Sequence, residues 1–476
     1  MQPSDRKIPT DNRLRESARL FPPEKGVFLV GGCVRDLLIG RPPADYDLAV
    51  AGDPAAYAGQ LAQKHGGRPV AIGPERHRIF RVTAGDRLFD VSPLAGGTIT
   101  ADLKARDFTI DAIAFDLAGQ VVVDPENGRA DLENRVIRMV APDAFRKDPL
   151  RQLRAFRLGT QFRCRIETQT LLAIKSGTAD IRLCAGERVR AELLKMLPFK
   201  GAVDALARMA ECGLLFAIIP ELAPLQACRQ NTHHQFDAWT HTLAAVGHLE
   251  GLIDPGLAGA GRNLLGQAAA LYSRGRAGLL KLALLLHDLG KPATRSVDAA
   301  GRVHFYGHEH RGADISEDIC RRLKFSRRET RYLYGIIRRH LRPLLLFNLY
   351  TENRLSDRAV TRFFVQCGTW MPDILLHAAA DFAGKQAEPK ADLEAFTSFT
   401  VDLIDRYRNI HAPRAAKPGL LTGRDLITAF GLTPSPLFKK ILARVETARL
   451  AGEISDRQQA LDLVRRMLDR RDTPQS

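Results

Sequence analysis

Residues 26–50 read GVFLVGGCVRDLLIGRPPADYDLAV. Val27 to Val30 is a short apolar run that reads as a buried strand, Gly31-Gly32 as a tight turn, and Val34 to Ile39 as the start of a helix. A second strand opens at Asp45-Tyr46-Asp47. Residues two apart on a strand face the same side, so Asp45 and Asp47 converge on one spot. Such a pair is costly unless a hard cation neutralises it, and Mg²⁺ held by one or two carboxylates plus substrate phosphates is the usual arrangement. Gly31 and Gly32 let backbone N–H groups approach phosphate at a helix N-terminus, and Arg35 lies on that helix's first turn. The stretch predicts a nucleoside triphosphate site. A lone D-x-D is more often a solvated strand end; its union with GG-x-V-R-D carries the reading.

The bulk composition agrees. A chain of 476 residues is long enough for several domains, each with its own core. Lys and Arg number 70 against 54 Asp and Glu, a net charge of +16 spread along the whole length, and a polyanion is the natural partner. The seven cysteines are scattered and odd in number, which excludes a disulfide framework and a C-x-x-C zinc site. The N-terminus is polar, and the most apolar run, Leu279 to Leu289, is broken by Lys281, His287 and Asp288. A reducing, cytoplasmic protein with no membrane partner is expected.

From Val27 to about Val140, β-rich runs (VFLV, YDLAV, RPVAI, HRIFRVTAG, RLFDVSPL, AIAFDLAGQVVVD, RVIRMV) alternate with helical pieces, which predicts a small α/β head on a mixed sheet. The chain here resembles the bacterial-type tRNA nucleotidyltransferase and poly(A) polymerase family, within the polymerase β-like superfamily. The matching residues are Leu29-Val30-Gly31-Gly32, Val34-Arg35-Asp36 and Asp45-Tyr46-Asp47. Asp90 then reads either as the superfamily's third carboxylate or as a sheet-edge aspartate. The resemblance continues through Ala105-Arg106-Asp107-Phe108-Thr109-Ile110-Asp111-Ala112, where it implies that Arg106 and Asp107 face the nucleotide's phosphates and ribose. Ala105 replaces the family's first arginine, and Asp111 replaces its asparagine. Asp124-Pro125-Glu126-Asn127-Gly128 with Asp131-Leu132 matches a structural turn of the family.

Beyond Ala144 the pattern is helical. Asp148, Arg151, Arg154 and Arg157 recur every third residue, a slowly winding polar stripe whose ordinary reading is a solvated face. The resemblance implies instead that Asp148 and Arg151 pair with the edge of C or A, with Arg154 and Arg157 orienting them or reaching phosphate. Lys147 stands where the family has glutamate. Further on, His241, His287-Asp288 and Asp381 resemble the HD phosphohydrolase ligand set, which implies a divalent transition metal such as Mn²⁺, Fe²⁺, Co²⁺ or Ni²⁺. His304, His308, His310 and His340 read either as a pocket lining or second metal, or as generic polar contacts. Residues 321–346 interleave Arg and Lys with Phe325, Tyr332 and Tyr334, and suit an RNA surface or an ordinary amphipathic helix equally.

The expected organisation is a mobile arm (1–24), an α/β nucleotidyltransferase head (25–140), an all-α neck with the base-recognition segment (141–228), an HD-type helical domain (229–385) and a helical tRNA-binding tail (386–476), with linkers near 385–390 and 411–419. The expected activity is template-independent addition of C and/or A from CTP and ATP to the 3′ end of tRNA, with Mg²⁺ at the head and release of pyrophosphate. Only VSPLAGGTITADLKA separates Asp90 from Arg106, shorter than the flexible loop of many full CCA adders, which raises CC-adding or A-adding enzymes as products. Poly(A) polymerase is the alternative of the same class. An HD-domain phosphohydrolase acting on RNA ends is the alternative of another class.

Overall fold

The run Val27–Val30 forms β1 and lies in the middle of a seven-stranded sheet, ordered β3-β4-β5-β2-β1-β6-β7. Its neighbours are β2 (Tyr46–Val50) and β6 (Ala114–Asp116), both antiparallel to it, with Leu29 opposite Leu48 on one side and Phe115 on the other. Strands flanked on both sides and covered on both faces must be apolar throughout. Val27, Leu29 and Val30 are accordingly buried. β3 (Pro69–Ile72), β4 (Ile79–Ala84) and β5 (Arg87–Pro93) extend the sheet on one flank, and β7 (Val121–Val123) closes the other. β2 and β5 run parallel, which makes the sheet mixed as expected and sets Asp47 beside Asp90. Val136–Ile137, expected as one more strand of the head, pairs instead with Arg165–Ile166 outside the main sheet.

This computed structural model describes residues 11–75, 78–229, 237–253, 274–385 and 390–472. The chain divides into two compact units, Met1–Pro220 and Glu221–Ser476. The head and the helical neck share the first unit; the second holds the HD-type helices and the C-terminal helices. Part of the stretch expected as a mobile arm is a helix, Asn12–Ala18, because Leu14 and Ala18 have an apolar surface to cover; residues 1–10 lie outside the described residues. The linker expected at 411–419 begins in helical structure, with a π-helical turn Tyr407–His411 and a helix Ala412–Ala415, and His411 is buried against Phe364 and Tyr407. The linker expected near 385–390 falls largely outside the described residues.

Within the second unit, the interleaved 321–346 segment resolves to a helix, Arg327–Ile337, opened by a Ser326/Glu329 capping box. Tyr332 is buried edge-on to Trp370 and offers no face for stacking a base. The C-terminal helices have their own core, in which Leu426, Ile441, Val445, Ala448, Ala460 and Val464 are buried together. No helix among the described residues is long and apolar enough to cross a membrane.

Candidate active site

The head site grows from the turn after β1. Gly31 has φ +74°, a backbone conformation that L side chains rarely adopt, and it caps the helix Gly32–Leu38. Its N–H donates to the Ile113 carbonyl of the neighbouring chain segment at 3.2 Å. A Cβ at Gly31 would lie 2.5 Å from Arg106 Nη1 and 3.8 Å from Asp47 Oδ2. Residue 31 thus sits where the arginine and the carboxylate approach each other. Gly31→Ala is expected to cost about 1–3 kcal/mol through backbone strain and to displace Arg106; thermal melting together with a nucleotide-addition assay checks both effects.

Asp47 projects from β2 with Asp45 just before the strand, and Asp90 is Asp47's register partner on β5. The three carboxylates therefore share one face. Burial, then the like charge of Asp45, pushes the Asp47 carboxyl up to about 6 against the pull of Arg106, with Asp90 and Asp111 adding to the rise. Asp90 itself is not open. Arg81, opposite it on β4, donates to both of its oxygens, Nε at 2.8 Å and Nη2 at 2.7 Å. Arg81 was missed in the sequence, since only the β4–β5 register reveals that the two residues face each other.

Arg106 is a basic group whose charge acts on Asp47. Its Nε and Nη2 donate to Asp102 Oδ2 at 3.1 and 3.0 Å, which leaves Nη1 lying against Gly31. Arg35 lies beside the glycine turn, its Nη2 3.3 Å from where a Cβ at Gly32 would stand, and its buried guanidinium ion-pairs with Asp36 at 2.9 Å and Asp111 at 2.5 Å and stacks 4.2 Å from the Phe162 ring centre. The Asp111 carboxylate anchors the guanidinium in this place and holds its charge there. Asp107 is also turned inward. It accepts from the Phe108 N–H at 2.9 Å and from Arg154 Nη1 at 2.7 Å. Burial alone would raise the Asp107 carboxyl; Arg154, with Arg151 beyond, outweighs it and brings the group below its ordinary range.

The arginine stripe is not a solvated face. Asp148 precedes the helix Leu150–Phe162 in extended conformation, its carboxylate accepting from the Leu150 N–H at 3.2 Å and from Arg188 at 2.9 Å. Arg151 donates to the carbonyls of Ala105 at 2.9 Å and Arg106 at 3.3 Å, so it hangs from the segment that supplies Arg106. Arg157 pairs with Glu192 at 2.6 Å and donates to Gln161 at 3.0 Å. Asp148 and Arg151 lie one helical turn apart with separate partners. Arg154 and Arg157 are committed to Asp107 and Glu192.

In the second unit the four expected HD residues converge. His241 Nε2 lies 2.8 Å from Asp381 Oδ1 and 3.8 Å from Asp288 Oδ2, and His287 Nε2 lies 3.2 Å from Asp288 and 3.3 Å from Asp381. His287 Nδ1 faces the Leu284 carbonyl at 2.7 Å, which assigns that nitrogen the proton and aims the other at the carboxylates. Such a buried set demands a positive charge. Burial would lower the His287 imidazole, but Asp288 and Asp381 push it up to about 10. Among the other histidines, His308 and His340 join the cluster, their Nε2 atoms 3.3 Å apart and His308 Nε2 3.5 Å from Asp288 Oδ1. His241, His287 and Asp288, and likewise Asp288, His308 and His340, form groups with the spacing of metal ligands. His304 instead meets Asp298 at 3.0 Å, and His310 meets Arg338. His377, unremarked in the sequence, lies one turn before Asp381 with its ring 5.2 Å from that of His287. Lys291 adds an ion pair to Asp288 at 2.7 Å.

Three family models match the chain: "Poly A polymerase head domain" over residues 27–138, "Probable RNA and SrmB- binding site of polymerase A" over 164–226, and "HD domain" over 257–361. An A-adding tRNA nucleotidyltransferase of Deinococcus radiodurans is 34% identical, over 96% of this chain and 98% of that protein. A CC-adding tRNA nucleotidyltransferase of Thermus thermophilus is 31% identical over 92% of each. The solved structure of a Thermotoga maritima CCA-adding enzyme complexed with tRNA superposes with a TM-score of 0.61 at 20% identity, covering 98% of this chain and 97% of that one. At that identity the superposition speaks for the fold; the sequence likeness, sustained from end to end, speaks for descent, and the chain belongs to the tRNA nucleotidyltransferase family.

Proposed function

We propose that the head transfers C or A from CTP or ATP to the 3′ end of tRNA without a template, releasing pyrophosphate. The observation that carries this reading is the meeting of Asp45 and Asp47 with Gly31 and Arg106 at the end of β1 and the start of β2. The carboxylates fit Mg²⁺, since burial and like charge hold Asp47 near 6 until a cation relieves them. When bound there, Mg²⁺ supplies the charge that lowers the pKa of the tRNA 3′-hydroxyl and offsets the charge of the triphosphate. Asp45 and Asp47 are the residues that would hold it, with Asp90 beside them as the further carboxylate, paired to Arg81. Gly31 and Gly32 admit the phosphates close to backbone N–H groups of the helix start, and Arg106, whose Nη1 lies against Gly31, meets them there. Asp148 and Arg151 read the base edge as acceptor and donor. Asp107, Arg35, Arg154 and Arg157 act behind them, as the ion pairs that hold this surface.

The product is part of CCA, the cell sharing the task with a second enzyme. Supporting this, the segment between Asp90 and Arg106 is a short turn, Ala95–Gly97, and a helix, Ile99–Lys104, capped by Thr98, with no room for a long loop. Purified protein with Mg²⁺ and labelled tRNAs ending before CCA, after CC, or complete, given CTP and ATP singly and together, is expected to add only CC or only the final A. Complete CCA on one tRNA would replace this reading with a full CCA adder, and unlimited A addition with a poly(A) polymerase.

A second activity is favoured by one observation, the buried histidine and aspartate cluster. His241, His287 and Asp288, and separately His287, His340 and Asp381, fit a transition metal by donor type and spacing, and such a metal, when bound, supplies Lewis-acid activation for phosphoester hydrolysis. We assign the cluster a phosphohydrolase role distinct from nucleotide addition. Seven unpaired cysteines support a reducing, cytoplasmic setting.

A further inference from the structure

Asp102 is a buried aspartate that no step above uses. It sits on the last turn but one of the helix Ile99–Lys104, and each of its oxygens has a separate task. Oδ1 accepts from the Ala95 N–H at 3.0 Å, in the turn that follows directly on β5. Oδ2 accepts from both Nε and Nη2 of Arg106, at 3.1 and 3.0 Å. One carboxylate therefore ties the end of the strand that bears Asp90 to the guanidinium that lies against Gly31. The arrangement is also an electrostatic choice. Arg106 stands near Asp47 and Asp111, whose charges both feel it, and a mobile guanidinium would collapse onto either of them. Three charge-assisted or backbone bonds to Asp102 prevent that and leave Nη1 directed at the glycine turn.

We propose that Asp102 is the positioning residue for triphosphate binding: it fixes Arg106 in the orientation that meets the phosphates, and it does so only through Arg106. The inference rests on the nucleotidyltransferase reading of the head. Pre-organisation of this kind appears in binding of the triphosphate, because a guanidinium already aimed loses less freedom when the ligand arrives.

The test compares Asp102→Asn, Arg106→Ala and the double variant in the full chain, measuring KM for the nucleoside triphosphate, kcat and the melting temperature. The amide of Asp102→Asn keeps an acceptor for the Ala95 N–H but turns donors toward the guanidinium. KM is expected to rise roughly ten- to a hundredfold, as for loss of a bond to a charged group, with a smaller change in kcat and little change in melting. In the Arg106→Ala background the same change is expected to add nothing. A wild-type KM in Asp102→Asn, or additive effects in the double variant, overturns the proposal. Should Asp102→Asn fail to fold, Arg106→Lys answers the same question, since it leaves the bond to Ala95 intact while losing the two-nitrogen contact; KM is expected to rise, and an unchanged KM overturns the proposal. If Arg106→Ala binds triphosphate normally, the phosphate role of Arg106 fails instead, a result distinct from a silent Asp102→Asn beside an impaired Arg106→Ala.

Discussion

Asp45→Ala with Asp47→Ala lowers nucleotide addition by on the order of 10³-fold or more, because several kcal/mol of charge stabilisation leave the site together. The fold survives. Asp47 is a liability in the metal-free head, where burial and the charges of Asp45 and Asp90 push it from 3.8 to about 6. The sign follows from linkage. A carboxyl raised in the folded state adds stability that is fully present below its unfolded pKa and is lost as pH rises through 6. At neutral pH, Asp47→Asn is therefore expected to stabilise the metal-free protein by about 1–2 kcal/mol after discounting for partial exposure, while abolishing addition. Denaturant melts at pH 7 and pH 4 check this: the gain in Asp47→Asn should shrink at the lower pH. Mg²⁺ binding should strengthen with pH up to about 6 and then level off as Asp47 ionises. Full addition by the double alanine variant would remove the head from the chemistry.

His287→Ala with Asp288→Ala is expected to do the reverse. Bound transition metal falls from near stoichiometric to background in elemental analysis, since the pair belongs to the groups that offer ligand spacing. Hydrolysis of phosphoesters disappears, and nucleotide addition persists. Chelation of the transition metal, with Mg²⁺ kept in excess so that the head stays loaded, should lower the melting temperature of the native protein and leave that of the variant unmoved: a ligand at a hundred times its Kd stabilises by about 2.7 kcal/mol, and the variant has no transition metal to lose. Loss of nucleotide addition in this variant would contradict separate activities, and unchanged metal content would place the metal elsewhere.

Read in order, the chain announces most of its architecture locally. β1, the glycine turn, the paired aspartates of β2 and the helical character after Ala144 follow from periodicity and turn residues within a few positions of one another. The HD residues were also legible, because an adjacent His-Asp at the end of an apolar helix has few explanations. What local spacing left open has a common cause. Arg35 is placed on the first turn of its helix by the sequence, but its partner Asp111 lies 76 residues away. Arg81 and Asp90 meet only because β4 and β5 pair in one register. The arginine stripe hid its partners Asp107 and Glu192 on other elements. His377 needed the packing of its helix to bring its ring beside His287.

By itself, then, the sequence determined the family, the succession of strands and helices, and the residue types able to bind a cation or a phosphate, since composition and short-range periodicity dictate those. The tertiary structure alone decided which charged groups face the ligand space and which are consumed inside the protein. Many of these choices are settled by a partner on another element: a buried charge must find its counter-ion, and neither strand register nor helix packing is written in local spacing.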